Sequence, residues 1–311
     1  MKLMLWLEPE RAIADTKIVK EHPEWFMSIP GNHSYILNYG NKEAQGYVCS
    51  LISQYIEKLG LSCYRQDFNA QLTEYFRRND EENRRGITEI KHITGMYEMW
   101  EYLLKKHPGL LIDNCASGGR RIDIESLRRT IPFFRSDYQC NFNENPEVLQ
   151  VHNFNISCYL PYNGCTSKTK YDTYAIRSSY SSSWGGAFYN AVFQSMCEED
   201  FAWAKKITEE YKEIRKYFSC DFYNHGSAVF DETAWTIWQY HDSETERGIV
   251  MAFRRCKSPF EQVRIHLKGL EEGKIYQYED RDSGECWDGS DQLLMELQQQ
   301  RSCRIIEYRG I

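Results

Sequence analysis

The chain has 311 residues, of which 41% are hydrophobic and 27% charged, and its formal net charge at pH 7 is −7. This composition is typical of a globular protein with at least one large core, and the length favours two domains over one. The negative charge argues against a general nucleic-acid-binding protein, because contact with phosphates needs a basic surface. No stretch approaches the ~20 apolar residues that a membrane span requires, so we predict neither a nucleic-acid nor a membrane partner.

The N-terminal segment MKLMLWLEPE has one lysine and a short apolar run that ends at Glu8. It lacks the longer apolar region and the cleavage site of a signal peptide, so we expect a cytoplasmic protein whose cysteines are reduced. The 11 cysteines contain no Cys-x-x-Cys pair, and the 8 histidines show no metal-ligand spacing. The sequence therefore predicts no disulfide framework, no metal site and no cofactor.

The first two-thirds of the chain alternate strand-like apolar runs with helical patterns, which indicates βα units on a parallel sheet. LMLWLEP is the first predicted strand, and apolar residues at helical spacing then predict a helix over 43–59. LSCYRQDF is the next strand, an amphipathic helix follows over 88–106, and LLIDNCA is the third strand. The pattern continues with a short helix in IDIESLRRT, strands in IPFFRSD, ISCYLP and AIRSSYS, and a final helix in EEDFAWAKKITEEYKEIRKYF.

From about residue 225 the pattern changes to short β-rich runs separated by turns. That spacing predicts an antiparallel β-sandwich. The predicted fold class is therefore α/β, with a domain of βα units over 1–222 and a C-terminal β-sandwich domain over 223–311.

Acidic residues stand at the ends of several predicted strands, where the catalytic groups of βα barrels lie. Asp67 ends the second strand and Asp137 the fourth. Two such carboxylates facing each other across one pocket suit glycoside hydrolysis, in which one attacks the sugar while the other supplies a proton. The alternative is a structural role, because Arg65 and Arg135 stand beside them as ion-pair partners, and for a single acidic residue that alternative is the more common one.

The order of several motifs resembles glycoside hydrolase family 36, the retaining α-galactosidases. These motifs are LWLEPE, HPEW, YRQDFN, the helix that leads into LLIDNCASGGRRID, and FRSD, and the C-terminal β-rich segment is similar to that family's sandwich. The resemblance implies that residues 1–222 form a partial (β/α)8-type TIM barrel, the catalytic domain, in which Asp67 is the nucleophile and Asp137 the general acid/base. It also implies that the substrates are oligosaccharides such as raffinose and melibiose, which lose terminal α-D-galactosyl groups by double displacement.

The resemblance also assigns substrate-binding positions. Trp6 matches a tryptophan that can stack on a sugar ring, although a core tryptophan is an equal alternative. The loop after the third strand matches one that lies against the sugar, where glycines let the backbone approach a ligand, although a tight turn would use them too. Asp123 matches a family aspartate but opens a helix, so it ranks below Asp137 as the acid. The assigned positions are Trp6, Asn32, Arg65, Asn69, Cys115, Ser117, Gly118 and Gly119.

Three departures from the family pattern lead to alternatives. Arg65-Gln66-Asp67 replaces Lys-Trp-Asp but keeps the positive charge. Asn32 stands where the family commonly has a sugar-binding arginine, which makes an N-acetylgalactosaminide an alternative substrate. The chain begins in the Trp-x-Glu-Pro-Glu strand, so we expect six of eight barrel strands, the first two being absent. An open barrel has unpaired edges, which predicts a homo-oligomer or a partner chain that completes it, or else a catalytically incomplete fragment.

Overall fold

The computed structural model of the protein describes residues 2–140, 144–167, 169–185, 196–226 and 230–311. The chain divides into two compact units, Met1–Ser136 and Asp137–Ile311. The predicted domain boundary between 222 and 223 stays a prediction. In the described part of the chain, no helix has the length and apolar character that crossing a membrane requires.

The first unit combines a parallel sheet with helices. Its strands are β1 (Met4–Leu7), β2 (Arg11–Ile13), β3 (Phe26–Met27), β4 (Ser34–Leu37), β5 (Cys63–Gln66) and β6 (Leu111–Asn114). Its helices are α1 (Lys17–Glu21), α2 (Lys42–Leu59), α3 (Thr73–Asn79), α4 (Ile87–Lys106) and α5 (Ile124–Leu127), with a 3₁₀ turn at Pro23–Trp25. Strands β1, β5 and β6 form a parallel sheet in that order, while β2, β4 and β3 form a small antiparallel sheet.

The long helices of the first unit lie where the apolar periodicity predicts them. The side chain of Asn41 caps α2 by accepting hydrogen bonds from the backbone of Glu43 and Ala44 at 2.9 and 3.2 Å. Gly60 ends that helix in the left-handed conformation, with φ of 61°. The apolar faces of α2 and α4 pack with the parallel sheet in one core, which includes Ile52, Ile56, Tyr64, Met99, Trp100, Leu103 and Ile112.

The predicted strand in IPFFRSD is reduced to a single parallel bridge between Ile131 and Asp113. Ile131 donates to the carbonyl of Ile112 at 2.8 Å. Pro132 follows directly and has no N–H with which to extend the ladder, so pairing stops there.

The second unit combines helices with a six-stranded antiparallel sheet. Its helices are α6 (Pro146–Ile156), α7 (Thr173–Ser178) and α8 (Glu198–Ile214), with 3₁₀ turns at Asp137–Cys140 and Arg215–Ser219. Its strands are β7 (Gly164–Thr166), β8 (Ser183–Gly185), β9 (Asp221–Gly226), β10 (Trp235–Asp242), β11 (Arg247–Arg254), β12 (Gln262–His266), β13 (Tyr276–Asp280), β14 (Cys286–Gly289), β15 (Gln292–Glu296) and β16 (Ser302–Gly310). The large sheet has the order β14-β13-β16-β11-β10-β9, β12 pairs with β15, and β7 pairs with β8 in parallel.

Two of the predicted strands are wrong. AIRSSYS lies mostly in α7, whose start is fixed by the Asp172 side chain accepting from the backbone of Ala175 at 3.0 Å. ISCYLP contains the end of α6 and the turn after it, rather than a strand. The parallel strands of this region are β7 and β8 instead, each of only three residues.

The antiparallel sheet of the C-terminal region is confirmed, and both of its faces are covered. Along β10, Trp238 and Tyr240 lie in one core with residues of α7 and α8, whereas Trp235 and Ile237 lie in a second core with residues of β12 and β15. Successive side chains of a strand point to opposite faces, so each aromatic residue of β10 belongs to the core on its own side.

Candidate active site

Three parallel strands of the first unit end side by side, and their ends carry polar side chains. The pairing continues one residue beyond the strands, because Asp67 donates its backbone N–H to Leu7 and Cys115 donates its own to Gln66, at 2.9 and 2.8 Å. Asp67 therefore lies at the end of the middle strand, β5, between the segments that follow β1 and β6. Carboxyl ends of parallel strands are where barrel proteins place their chemistry.

Asp67 is a buried carboxylate held by hydrogen-bond donors. Its residue is 6% exposed, and one carboxylate oxygen accepts from the backbone N–H of Phe68 at 2.7 Å. Burial on its own raises the pKa of Asp67, but hydrogen bonds from the Cys115 thiol, Phe68 N–H and Asn69 side chain, with the charge of Arg65, lower that pKa below its ordinary value. Asp67 is therefore ionised at neutral pH, which is the state that a nucleophilic carboxylate needs.

Arg65 forms its ion pair with Asp113, and both side chains are almost fully buried. The expectation that Arg65 is the ion-pair partner of Asp67 is therefore wrong, and Asp67 is not needed to neutralise it. The reason is the register: Arg65 and Asp113 are opposite each other on β5 and β6, so their side chains leave the sheet on the same face. The guanidinium also lies 4.8 Å from the ring centre of Trp6.

Trp6 is 59% exposed, so it is not the core tryptophan of the alternative interpretation. Asn32 has both ends of its amide engaged within the protein. It donates to the Tyr75 hydroxyl at 2.9 Å and accepts from the backbone of Ser34 at 2.9 Å. Those bonds tie the turn before β4 to α3.

The loop after β6 is tied to the segment after β5. The Ser117 hydroxyl contacts the Asn69 side-chain oxygen at 2.9 Å and the Phe68 carbonyl at 3.2 Å, and Arg120 donates to the same hydroxyl at 2.9 Å. Ser117, Gly118 and Gly119 all have positive φ, of 50°, 73° and 98°. A Cβ on Gly119 would lie 2.4 Å from the Arg135 carbonyl, so this position requires glycine for the path of the backbone itself.

A second buried carboxylate, Glu10, connects all three strand ends. Arg121 donates to both of its oxygens at 2.7 Å, and the Gln66 side chain donates at 2.7 Å. Burial raises the pKa of Glu10, but the charge of Arg121 and the bonds from His92 and Arg121 outweigh it and lower the pKa to about 2. Glu10 and Arg121 both lie in the sequence motifs, but their contact could not be predicted, because 111 positions separate them.

The two candidate acids have different positions. Asp123 caps α5, with its carboxylate accepting from the backbone and the hydroxyl of Ser126 at 2.9 and 2.7 Å, which is the role that a helix start favours. Asp137 begins the 3₁₀ turn at the start of the second unit and is exposed. Its pairing with Asp67 across one pocket stays a prediction.

A buried, ionised aspartate at the end of a parallel strand, beside a glycine-rich loop, is an arrangement suited to glycoside hydrolysis. Residues 1–146 match the family model described as Melibiase. The predicted resemblance to the α-galactosidases is thereby confirmed.

Two curated relatives illustrate the similarity. α-Galactosidase Mel36A of Lactobacillus acidophilus is 22% identical over 293 residues, which is 89% of this chain and 39% of that protein. The α-galactosidase of Escherichia coli is 26% identical over 179 residues, which is 52% of this chain and 24% of that protein. The chain thus spans well under half the length of these relatives.

Two solved structures share the fold over 100% of this chain. The α-galactosidase of Lactobacillus brevis matches with a TM-score of 0.80 and 21% identity, and this chain covers 44% of it. The family 36 α-galactosidase AgaA of Geobacillus stearothermophilus, in a complex with raffinose, matches with a TM-score of 0.80 and 16% identity, with 45% of that chain covered.

Proposed function

We propose that the chain carries the catalytic aspartates of a retaining glycoside hydrolase that releases terminal α-D-galactosyl groups from α-galactosides. The observation that carries the proposal is Asp67, a buried carboxylate whose pKa is lowered by donors from two neighbouring strand ends. The relatives named α-galactosidases support the substrate class.

In the proposed reaction, Asp67 attacks the anomeric carbon and forms a covalent glycosyl-enzyme, while Asp137 donates a proton to the departing oxygen. Asp137 then takes a proton from the water that releases the sugar. A retaining enzyme holds its two carboxyl groups about 5–5.5 Å apart in this reaction. The Cys115 thiol and the Asn69 side chain favour the ionised form of Asp67 and so lower its pKa.

We further propose that the remaining residues around Asp67 bind the sugar. Trp6 is exposed beside Arg65 and offers an aromatic surface for stacking. Ser117, Gly118 and Gly119 lie in the loop after β6, which the Ser117 hydroxyl ties to Asn69 beside Asp67.

The parallel strands of the first unit belong, in this proposal, to a (β/α)8-type barrel followed by a C-terminal sandwich. Among the described residues, β1 pairs with β5 alone, so the other edge of this apolar strand is unpaired. An apolar strand edge of this kind favours cover by a further strand. A homo-oligomer or a partner chain that completes the barrel is the proposed source of such a strand.

Replacing Asp67 by Asn tests the proposal. We expect the rate of aryl α-galactoside hydrolysis to fall by about 10⁴-fold or more, the scale on which loss of a catalytic nucleophile acts. The matched control is Asp15→Asn, because the Asp15 side chain is 90% exposed, and this variant should keep full activity. Unchanged turnover in Asp67→Asn would remove this residue from the mechanism.

Two further measurements refine the proposal. NMR of the first sugar released should show the α-anomer if the configuration is retained. A panel that contains aryl α-galactosides and aryl N-acetyl-α-galactosaminides decides between the two substrates. If the purified chain hydrolyses neither, it is a catalytically incomplete fragment or a subunit that needs a partner chain.

A further inference from the structure

Three side chains that can bind metals meet in the second unit. Glu147 lies in the first turn of α6, Glu232 precedes β10, and Cys256 follows β11. One carboxylate oxygen from each glutamate and the Sγ atom of Cys256 all lie within 4.8 Å of one another. They come from three separate segments, so the spacing of cysteines and histidines in the sequence gives no sign of this group.

Glu147 supplies the independent indication of a ligand. The residue is 2% exposed, and its Oε1 accepts from the backbone of Cys256 at 3.0 Å and from the Tyr174 hydroxyl at 3.2 Å. Its Oε2 is buried and has no hydrogen-bond partner. Buried carboxylate oxygens nearly always have a donor or a cation, because an unpaired one is energetically costly. Since Oε1 accepts from Cys256, the Glu147 carboxylate is held at this cluster with one of its oxygens unpaired.

The other two groups, Cys256 and Glu232, are in contact with each other. The Cys256 thiol lies 3.5 Å from Oε1 of Glu232 and donates to it. Glu232 also forms an ion pair with Lys257, whose side chain is 65% exposed and free to move into solvent. Two carboxylates and a thiolate carry three negative charges, and Arg255, which attracts Glu147, supplies one positive charge. A divalent cation would neutralise the remainder.

We propose that Glu147, Glu232 and Cys256 form a binding site for a divalent cation of the zinc class, with water as a fourth ligand. A thiolate among carboxylate oxygens selects zinc over magnesium and calcium, which take oxygen ligands only. Binding replaces the thiol proton, which passes to solvent, and displaces Lys257 from Glu232. The cation joins the start of α6 to the segments that flank β10 and β11, so its role is to stabilise the second unit.

Cobalt(II) titration of the chelator-treated full chain tests the site, because a cobalt–thiolate bond absorbs in the near ultraviolet. We expect this absorption to appear at one equivalent of cobalt, to disappear when Zn²⁺ is added, and to be lost in Cys256→Ser. The matched control is Cys286→Ser, since Cys286 is an exposed cysteine on β14 of the same unit. That variant should keep the absorption.

Glu232→Gln is the second variant. Because the Glu232 side chain is 31% exposed, we expect this replacement to leave the fold intact. It should weaken cobalt binding about tenfold or more, since even the loss of a residue that only hydrogen-bonds to a metal ligand weakens metal affinity on this scale. Absence of the thiolate absorption in the unmodified chain would overturn the proposal. So would an equal loss in Cys256→Ser and Cys286→Ser, which indicates adventitious binding to thiols, or unchanged affinity in Glu232→Gln.

Discussion

The two units place their buried arginines in different settings. In the first unit, Arg121 is bound to Glu10, which is fully buried. In the second unit, Arg177 is bound to Glu210 and Asp282, whose side chains are 18% and 40% exposed. Glu10 of the first pair follows β1 and also accepts from Gln66 at the end of β5, whereas the second set connects α7 to α8 and to the turn after β13. The carboxylate of the first pair is completely shielded from water, whereas the two carboxylates bound to Arg177 keep contact with it.

Replacing each arginine in turn measures this difference as a change in the free energy of unfolding. The Arg121 replacement should have the largest effect on stability. Arg121→Leu leaves Glu10 buried without its cation, which is expected to lower the free energy of unfolding by about 3–5 kcal/mol. Arg177→Leu should lower it by only about 1–2 kcal/mol, because Glu210 and Asp282 can gain water. Urea denaturation of both variants provides the measurement. An equal or larger loss in Arg177→Leu would contradict the interpretation.

Lowering the pH should reveal how much the buried Glu10–Arg121 pair stabilises the first unit, because Glu10 becomes protonated. Its pKa is lowered from 4.5 to about 2 in the folded protein. A carboxyl group whose pKa is lowered on folding stabilises the protein fully at pH values above its pKa in the unfolded state. This contribution is lost as the pH falls through its pKa in the folded state. The first unit should therefore lose about 3 kcal/mol between pH 4.5 and pH 2 from this residue.

Glu10→Gln is the control for the acid experiment. The variant lacks the titrating group, so its free energy of unfolding should start lower at pH 7 and change less between pH 4.5 and pH 2. Chemical denaturation across this range, followed by tryptophan fluorescence, measures both proteins. Parallel pH profiles for the two would exclude Glu10 as the source of the acid sensitivity.

Helices with a strong amphipathic pattern could be predicted from the sequence almost to the residue. The predicted ranges 43–59 and 88–106 correspond to Lys42–Leu59 and Ile87–Lys106. Short buried elements could not, because α7 is six residues long and nearly all of it is buried. A buried helix of that length has no polar face, and its apolar residues match a strand equally well.

The candidate site was predictable as a set of residues but not as a set of contacts. The strand-end position of Asp67 follows from the βα pattern, whereas the pairing of Arg65 with Asp113 depends on the register between β5 and β6. Register is determined by packing and strand twist over the whole sheet, so a single sequence does not show which polar groups become neighbours. The same limit applies to Glu10 with Arg121.

The smallest predicted effect isolates the environment of Asp67 itself. Cys115→Ala removes the thiol that donates to this carboxylate, while burial, which raises the pKa, remains. The pKa of Asp67 should therefore rise, because losing a donor to the ionised carboxylate disfavours that form. Since the attacking carboxylate must be ionised, the acid limb of kcat/KM moves to higher pH by the same amount, while activity near neutral pH changes little.

The pH profile of aryl α-galactoside hydrolysis measures this shift, and Cys49→Ala is its matched control. Cys49 is also a buried cysteine of the first unit, but it lies on α2 in the apolar core, away from the strand ends. Its removal should lower stability without moving the acid limb. A shift of equal size in both variants would mean that the acid limb reflects a general loss of stability in the first unit. A shift in Cys115→Ala alone would assign the limb to the carboxylate that the thiol contacts, and so would connect the buried charge of this unit directly to the reaction.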